Sequence, residues 1–270
     1  MSKPTRANPP LAFQLSQVGQ PQPWLATPCT LSVQDVHVWT AFLDQDDDAP
    51  SILNDAELRR ADRFLLAHVR AGFVRSRTIL RRILADYLTR DPASLAFTIG
   101  SHGKPALVDN ERLQFNTSHS GNCLVVAVRL DQPIGVDVEH HRKVSDASVI
   151  ARRFFIAAEA DQIEELPATD RAAGFRALWT LKEAVVKAAG EALIHHMDRI
   201  EGRLDADGRA QFVAWHGMSS WQTFQFTPAP GYTATLATKP PFHTTFFKMR
   251  SRGSGPTGLG EADQDSGWPA

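Results

Sequence analysis

Along this chain, alternating hydrophobic stretches give way to helical stripes, and the same order of elements then begins again. VQDVHVWTAFL (33–43) alternates as a strand does, with Val36, Val38 and Ala41 as inward positions. The acidic DQDDDAP that follows is a loop. Ser51 starts a helix as its N-cap, with Asp55 and Glu57 in the early turns. From about Val69 to Leu88 the period becomes helical: Phe73, Arg77, Leu80, Leu84 and Leu88 keep one face, and an arginine stripe runs beside it. Phe97-Thr-Ile and Gly103-Lys-Pro-Ala-Leu predict strand, tight turn, strand. FNTSHSGNCLVVAV (115–128) predicts a short strand, a polar turn and a second, apolar strand.

The pattern restarts after Asp131-Gln-Pro. IGVDVE (134–139) is a strand, HRKVSDASVIARRFF a loop then a helix, and FIAAEADQIEE (155–165) a further helix ended by LPATD. Phe175 to Leu193, FRALWTLKEAVVKAAGEAL, reads as one long helix. RIEGRLDADGRAQFVAW is a hairpin with Asp207-Gly208 as its turn, and WQTFQFTPAPGYTATLAT adds two strands. The predicted organisation is a Pro/Gln-rich extension (1–30), an N-terminal α+β half (31–132), a C-terminal α+β half (133–249) and a Gly/Ser/Asp-rich disordered tail (250–270). An α+β protein of two similar, pseudo-twofold halves with the site in the cleft between them fits that order.

Composition narrows the function classes. The 270 residues are 43% hydrophobic and 22% charged, with a formal net charge of −1, so nothing global points to nucleic acid or an acidic membrane. Charge is uneven, however: nine arginines (59, 60, 63, 70, 75, 77, 81, 82, 90) stand against four acids between Ser51 and Arg90, which suits a small polyanion or an acidic partner. Cys29 and Cys123 are too few and too far apart for a disulfide framework or a zinc site, and Cys123 lies in an apolar run as a buried thiol. No apolar run spans a bilayer and no signal core is seen, which predicts a cytoplasmic protein.

Four short constellations carry chemistry. Glu183 and Lys187 lie four residues apart on one helix face, with Trp179 a turn earlier. Alone such a pair is a solvated ion pair worth ~0.3–0.5 kcal/mol. Asp137 and Glu139 alternate on a strand, so both carboxylates project together, and their repulsion calls for a cation. Oxygen-only ligands favour Mg²⁺ or Mn²⁺, and Glu183 would complete such a site. Asn116-Thr-Ser-His119 places a histidine among small hydroxyl residues in a turn beside a glycine, a setting for an anion. Gly103-Lys104-Pro105 presents a lysine on a tight turn.

The ordered set GKP, FNTSHSG, IGVDVE, WTLKEAVVK resembles the 4′-phosphopantetheinyl transferases of the larger, two-halved, single-chain (surfactin-synthetase-activating) type. The resemblance covers about Leu53 to Lys187 by motif and extends by fold to Thr238. It implies transfer of the phosphopantetheine arm of coenzyme A to a serine of an apo acyl or peptidyl carrier protein, releasing adenosine 3′,5′-bisphosphate, with Mg²⁺ (Mn²⁺ as an alternative) on the pyrophosphate. It implies Asp137, Glu139 and Glu183 as metal ligands, Ser118 and His119 at the 3′-phosphate, Lys104 by the adenine end, and Lys187 and Lys182 at the phosphates. It also implies Arg60 and Arg81 as coenzyme A contacts, while His68-Val69 departs from a Lys/Arg-rich stretch of the family. Glu183 is the candidate base and Lys187 the cation that neutralises the leaving phosphate. Phe154 and Phe155 are carrier-contact candidates and equally core candidates. The two internal halves predict a working monomer. A Mg²⁺-dependent phosphohydrolase or nuclease on the same carboxylates, or a non-catalytic carrier-protein binder, are the alternatives; the near-neutral charge and the SHS and GKP pieces speak against a nuclease.

Overall fold

The computed structural model describes residues 30–44, 52–142, 146–191, 196–215 and 220–249. The extension up to Cys29, the Ser51 cap and the tail from Arg250 lie outside the described residues. The fold is mixed α+β. Strand β1 (Asp35–Phe42) leads to helices α1 (Asp55–Ala61) and α2 (Ala67–Leu88), then to β2 (Phe97–Ile99), β3 (Pro105–Leu107), β4 (Leu113–Ser120), β5 (Cys123–Leu130) and β6 (Ile134–His140). Helices α3 (Ala147–Phe154), α4 (Ala157–Glu165) and α5 (Arg171–Ala189) follow. Strands β7 (Ile200–Leu204), β8 (Ala210–Trp215), β9 (Gln222–Phe226), β10 (Tyr232–Thr238) and β11 (His243–Lys248) complete the described chain.

Asn54 caps α1: its side chain accepts from Glu57 N–H while Glu57 reaches back to the Asn54 N–H, a reciprocal capping box. Helix α5 starts at Arg171, one turn earlier than its apolar period suggests, and stops at Gly190, which takes φ +75° at the C-cap. The largest departure is at β4. Ser118, His119 and Ser120 are strand residues, and the hairpin turn falls on Gly121 (φ +53°) and Asn122.

Two main sheets lie face to face. The first has the order β11-β1-β5-β4, the second β6-β10-β9. Strand β11 is paired in parallel with β1, so the last described strand belongs to the sheet of the N-terminal half, although its chain follows the C-terminal one. Strands β1 and β5 are buried on both faces, and this sorts their side chains between two cores. Trp39, Ala41, Leu124, Val126 and Val128 pack with Ile79, Leu80, Ile83 and Leu84 of α2. Val36, Val38, Cys123, Val125 and Ala127 pack instead against Ile134, Val136, Val138, Ala234 and Leu236 of the second sheet. Ala41 is inward, as expected, but opposite to Val36 and Val38. Burial pushes the Cys123 thiol up to about 11, in keeping with an inert core cysteine.

Helix α5 covers the outer face of the second sheet, and a third core joins it to α3, α4 and β7–β8. Gly135 sets that contact. A Cβ there would stand 2.1 Å from the Ala184 carbonyl oxygen and 2.4 Å from Ala188 N, so only glycine lets the helix lie this close to β6.

Candidate active site at the seam of the two sheets

The alternation of β6 divides its side chains by role. Ile134, Val136 and Val138 enter the core between the sheets, while Gly135, Asp137 and Glu139 take the α5 side. The close approach at Gly135 brings the α5 face that carries Glu183 and Lys187 over Asp137. Lys187 Nζ donates to Asp137 Oδ1 at 2.6 Å and to Ser118 Oγ at 3.2 Å, and lies 3.1 Å from Glu183 Oε2. Ser118 Oγ in turn donates to Asp137 Oδ1 at 2.8 Å, and Ser120 Oγ to Glu139 Oε2 at 2.9 Å.

The charges are unequal: Asp137 and Glu183 share one ammonium, while Glu139 beside them lies in the fields of Arg142, Lys187 and Arg176. Burial and the neighbouring charge of Asp137 raise Glu183 to about 7, against the opposing pull of Lys187. Burial also raises Glu139, and the Ser120 hydrogen bond offsets this in part. Burial works against the charge of Lys187, yet Asp137 and Glu183 outweigh it and hold the ammonium above its ordinary value. Asp137 Oδ2 is buried with no hydrogen-bond partner. An orphaned carboxylate oxygen among acids that resist ionisation is a donor set lacking positive charge, and it fits a hard divalent cation in kind. Among the described residues no group of three or more Asp, Glu, His or Cys side chains forms a ready metal position. In this state the Lys187 ammonium occupies the gap between Asp137 and Glu183.

The other expected site residues part company. Lys104 reaches from the β2–β3 turn across the seam, where its Nζ donates to the carbonyls of Ile134 (3.0 Å), Lys187 (2.8 Å) and Ala188 (3.3 Å). It thereby caps the negative end of α5, and burial lowers it to about 8. Ser118 and His119, which the resemblance pairs at one phosphate, are separated by the pleat of β4: Ser118 is buried against β6 while His119 is exposed on the opposite face. Arg60 is exposed on α1 with its guanidinium over the Phe73 ring at 5.4 Å.

Two expectations need correction. Arg81 is fully buried; it pairs with Glu57 at 2.7 Å and donates to the carbonyls of Pro92 and Leu95, so no surface is left for coenzyme A. Lys182 is also fully buried, bound to Glu159 at 2.7 Å and to the carbonyls of Met197 and Ile200, and is out of reach of a phosphate. The arginine surface shrinks accordingly, because Arg77 pairs with Glu57, Arg70 with Asp62 and Arg90 with Asp109. Phe155 is a core residue stacked on Phe175, and Phe154 is half-buried beside it. Sequence reasoning missed Ser120, Glu57 and Glu159; the alternation N-x-S-x-S at 116–120 was the available signal for the first.

Comparison with known proteins fits this seam. Residues 133–237 match the profile of the 4′-phosphopantetheinyl transferase superfamily, and residues 37–131 match that of the 4′-phosphopantetheinyl transferase N-terminal domain. Over 223 residues the chain is 35% identical to the 4′-phosphopantetheinyl transferase HetI of a Nostoc species, covering 79% of this chain and 92% of the relative. The chain belongs to the 4′-phosphopantetheinyl transferase superfamily. It is also 31% identical over 165 residues to the transferase psf-1 of Bacillus pumilus, covering 60% of this chain and 69% of that one. With the transferase Sfp of Bacillus subtilis it shares 29% identity over 165 residues, or 61% and 72% of the two chains. The two family profiles meet at Asp131–Pro133, where the chain passes from the first sheet to β6 as the strand that carries the acids of this transferase.

Proposed function

We propose that this transferase moves the 4′-phosphopantetheine arm of coenzyme A to a serine of an apo acyl or peptidyl carrier protein, with Asp137, Glu183 and Lys187 at the reacting centre. The serine oxygen forms a new bond to the β-phosphorus, the bridging P–O bond breaks, and adenosine 3′,5′-bisphosphate leaves with the bonding pair. The observation that carries this reading is the ion cluster at the seam, where one ammonium bridges Asp137 and Glu183 and a buried oxygen of Asp137 has no partner.

Each residue has a task that its surroundings support. Glu183, beside Lys187 and Asp137 on the face that α5 turns to β6, is placed to take the serine proton. The Lys187 ammonium, kept charged by its acidic neighbours, stabilises charge as it develops on the leaving phosphate. Asp137, Glu139 and Glu183 are the residues that would hold Mg²⁺ (or Mn²⁺), which when bound screens the pyrophosphate and polarises its oxygens. Exposed His119 and Arg60, with other basic groups of α1 and α2, remain candidates for the adenosine phosphates. Lys104 acts from behind the site, by holding the end of α5.

Among the described residues no helix is long and apolar enough to cross a membrane. A cytoplasmic monomer, with both halves of the site on one chain, goes with this reading. The test is direct: incubate the protein with coenzyme A, Mg²⁺ and apo carrier, and weigh the carrier by mass spectrometry. Gain of the phosphopantetheine mass is expected. No gain across several unrelated carriers would overturn the proposal.

A further inference from the structure

Strands β4 and β6 are the facing edges of the two sheets, and no backbone ladder joins them. The edge amides of β6 are satisfied by side chains of β4 instead. Asn116 Oδ1 accepts from Val136 N–H at 2.9 Å, Ser118 Oγ from Val138 N–H at 3.3 Å, and Ser120 Oγ from His140 N–H at 3.1 Å. The offset is twenty residues at each step, so the contact has a fixed register along both strands. Two rungs have a second function. Each serine hydroxyl hydrogen goes to the carboxylate of the residue just before the amide it accepts, Ser118 to Asp137 and Ser120 to Glu139.

A hydroxyl has one hydrogen to donate and two lone pairs to accept with. At Ser118 all three are in use: the hydrogen by Asp137, the lone pairs by Val138 N–H and Lys187 Nζ. The geometry points to Ser118 and Ser120 as positioning residues for the acidic pair of β6. They aim Asp137 and Glu139 toward the cation these acids would hold, and the same bonds pin the seam between the sheets. Fixing the orientation of ligating carboxylates from behind is worth ~10–100-fold in metal affinity or activity.

This inference rests on the transferase reading for its kinetic arm only. The variants are Ser118→Ala and Ser120→Ala, with Ser118→Thr as the variant that keeps the hydroxyl. The first readout needs neither coenzyme A nor carrier: Mn²⁺ titrated into the protein alone, followed by calorimetry. Ser118→Ala and Ser120→Ala are expected to bind Mn²⁺ about 10-fold more weakly, with Ser118→Thr recovering part of the loss. The second readout is transfer from coenzyme A and from 3′-dephospho-coenzyme A. A positioning role predicts the same fractional defect with both donors, an increased Mg²⁺ requirement and a KM for coenzyme A changed by less than about 3-fold.

Unchanged Mn²⁺ affinity in both alanine variants would overturn the assignment, as would a Ser118→Ala defect that vanishes with the dephospho donor. Should Ser118→Ala not fold, Ser120→Ala decides on the same two readouts. Wild-type protein that binds Mn²⁺ but modifies no carrier would sink the transferase reading and leave the metal arm standing.

Discussion

Helix α5 presents Lys182 to the C-terminal core and Lys187 to the seam, and both lysines meet acids. Around Lys182 everything balances. One ammonium faces one carboxylate, Glu159, at 2.7 Å, and both side chains are 0% exposed. The remaining lysine donors go to the carbonyls of Met197 and Ile200, while Glu159 accepts from Gly202 N–H at 2.7 Å and from Ile156 N–H. Burial lowers Lys182 and raises Glu159, yet neither has a free valence through which to act. Lys187 is partly exposed, is shared between two acids, and leaves Asp137 Oδ2 without a partner. The residue types are the same in both places. What separates a strut from a reactive centre is the charge left uncompensated.

The sharpest way to break this comparison is to empty one side of each cluster. Asp137→Ala is expected to cut turnover on the order of 10³-fold or more while the protein still folds, since Lys187 keeps Glu183 as its partner and the loss of the Ser118 and Lys187 bonds is offset by relief of repulsion among the acids. Near wild-type activity in that variant would remove the seam from the chemistry. At the other cluster the expectation is reversed. Lys182→Met leaves Glu159 buried without a counter-charge, and should cost about 3–5 kcal/mol in denaturant unfolding. Pairing it with Glu159→Leu should restore much of the loss, and purified double variant that folds should retain activity. If Lys182→Met instead folded normally and lost activity, the lysine would have to be returned to the phosphates.

Gly135→Ala probes what holds the two sides in place. The added methyl meets the α5 backbone and should destabilise by about 1–3 kcal/mol or more, with loss of activity beyond what the stability change explains. Full activity would show that the helix can back away from β6 without disturbing Glu183 and Lys187.

The smallest effect is the dependence of the metal-free protein on pH. Glu183 has an ordinary value of 4.5 and is raised to about 7 by burial and Asp137, so between those values the folded protein holds a proton that the unfolded chain has released. Stability should therefore decline as pH rises from about 4.5 to about 7, by this group's share, and level off above. Glu183→Gln should remove that slope when unfolding midpoints are compared across the window. An unchanged slope in the variant would place the titration elsewhere, with Glu139 the next candidate because it too is raised.

Local pattern revealed much of this. The period of two in IGVDVE separated Asp137 and Glu139 from the valines behind them, and the i,i+4 spacing put Glu183 beside Lys187. It misjudged β4, because three polar residues before a glycine look like a turn. They are polar for a different reason: Ser118 and Ser120 serve the amides of another strand, 20 residues on, rather than solvent. Arg81 and Lys182 were misjudged for a related reason. A cation on a helix looks the same whether it meets water or a buried acid, and their acids, Glu57 and Glu159, lie 24 and 23 residues away in the chain.

The sequence by itself determined the elements, their order, the acidic pair on one strand face and the family to which the transferase belongs, because each of these depends on near neighbours or on motifs in order. Only the tertiary structure decided which charges are spent. It placed β11 beside β1, packed α5 onto β6 at Gly135, and set β4 along β6 through three side chains. Those contacts join residues far apart in the chain, and they determine whether a lysine is a strut or a catalyst. Periodicity carries no record of a side chain's distant partners, so that distinction appears only when the chain is folded.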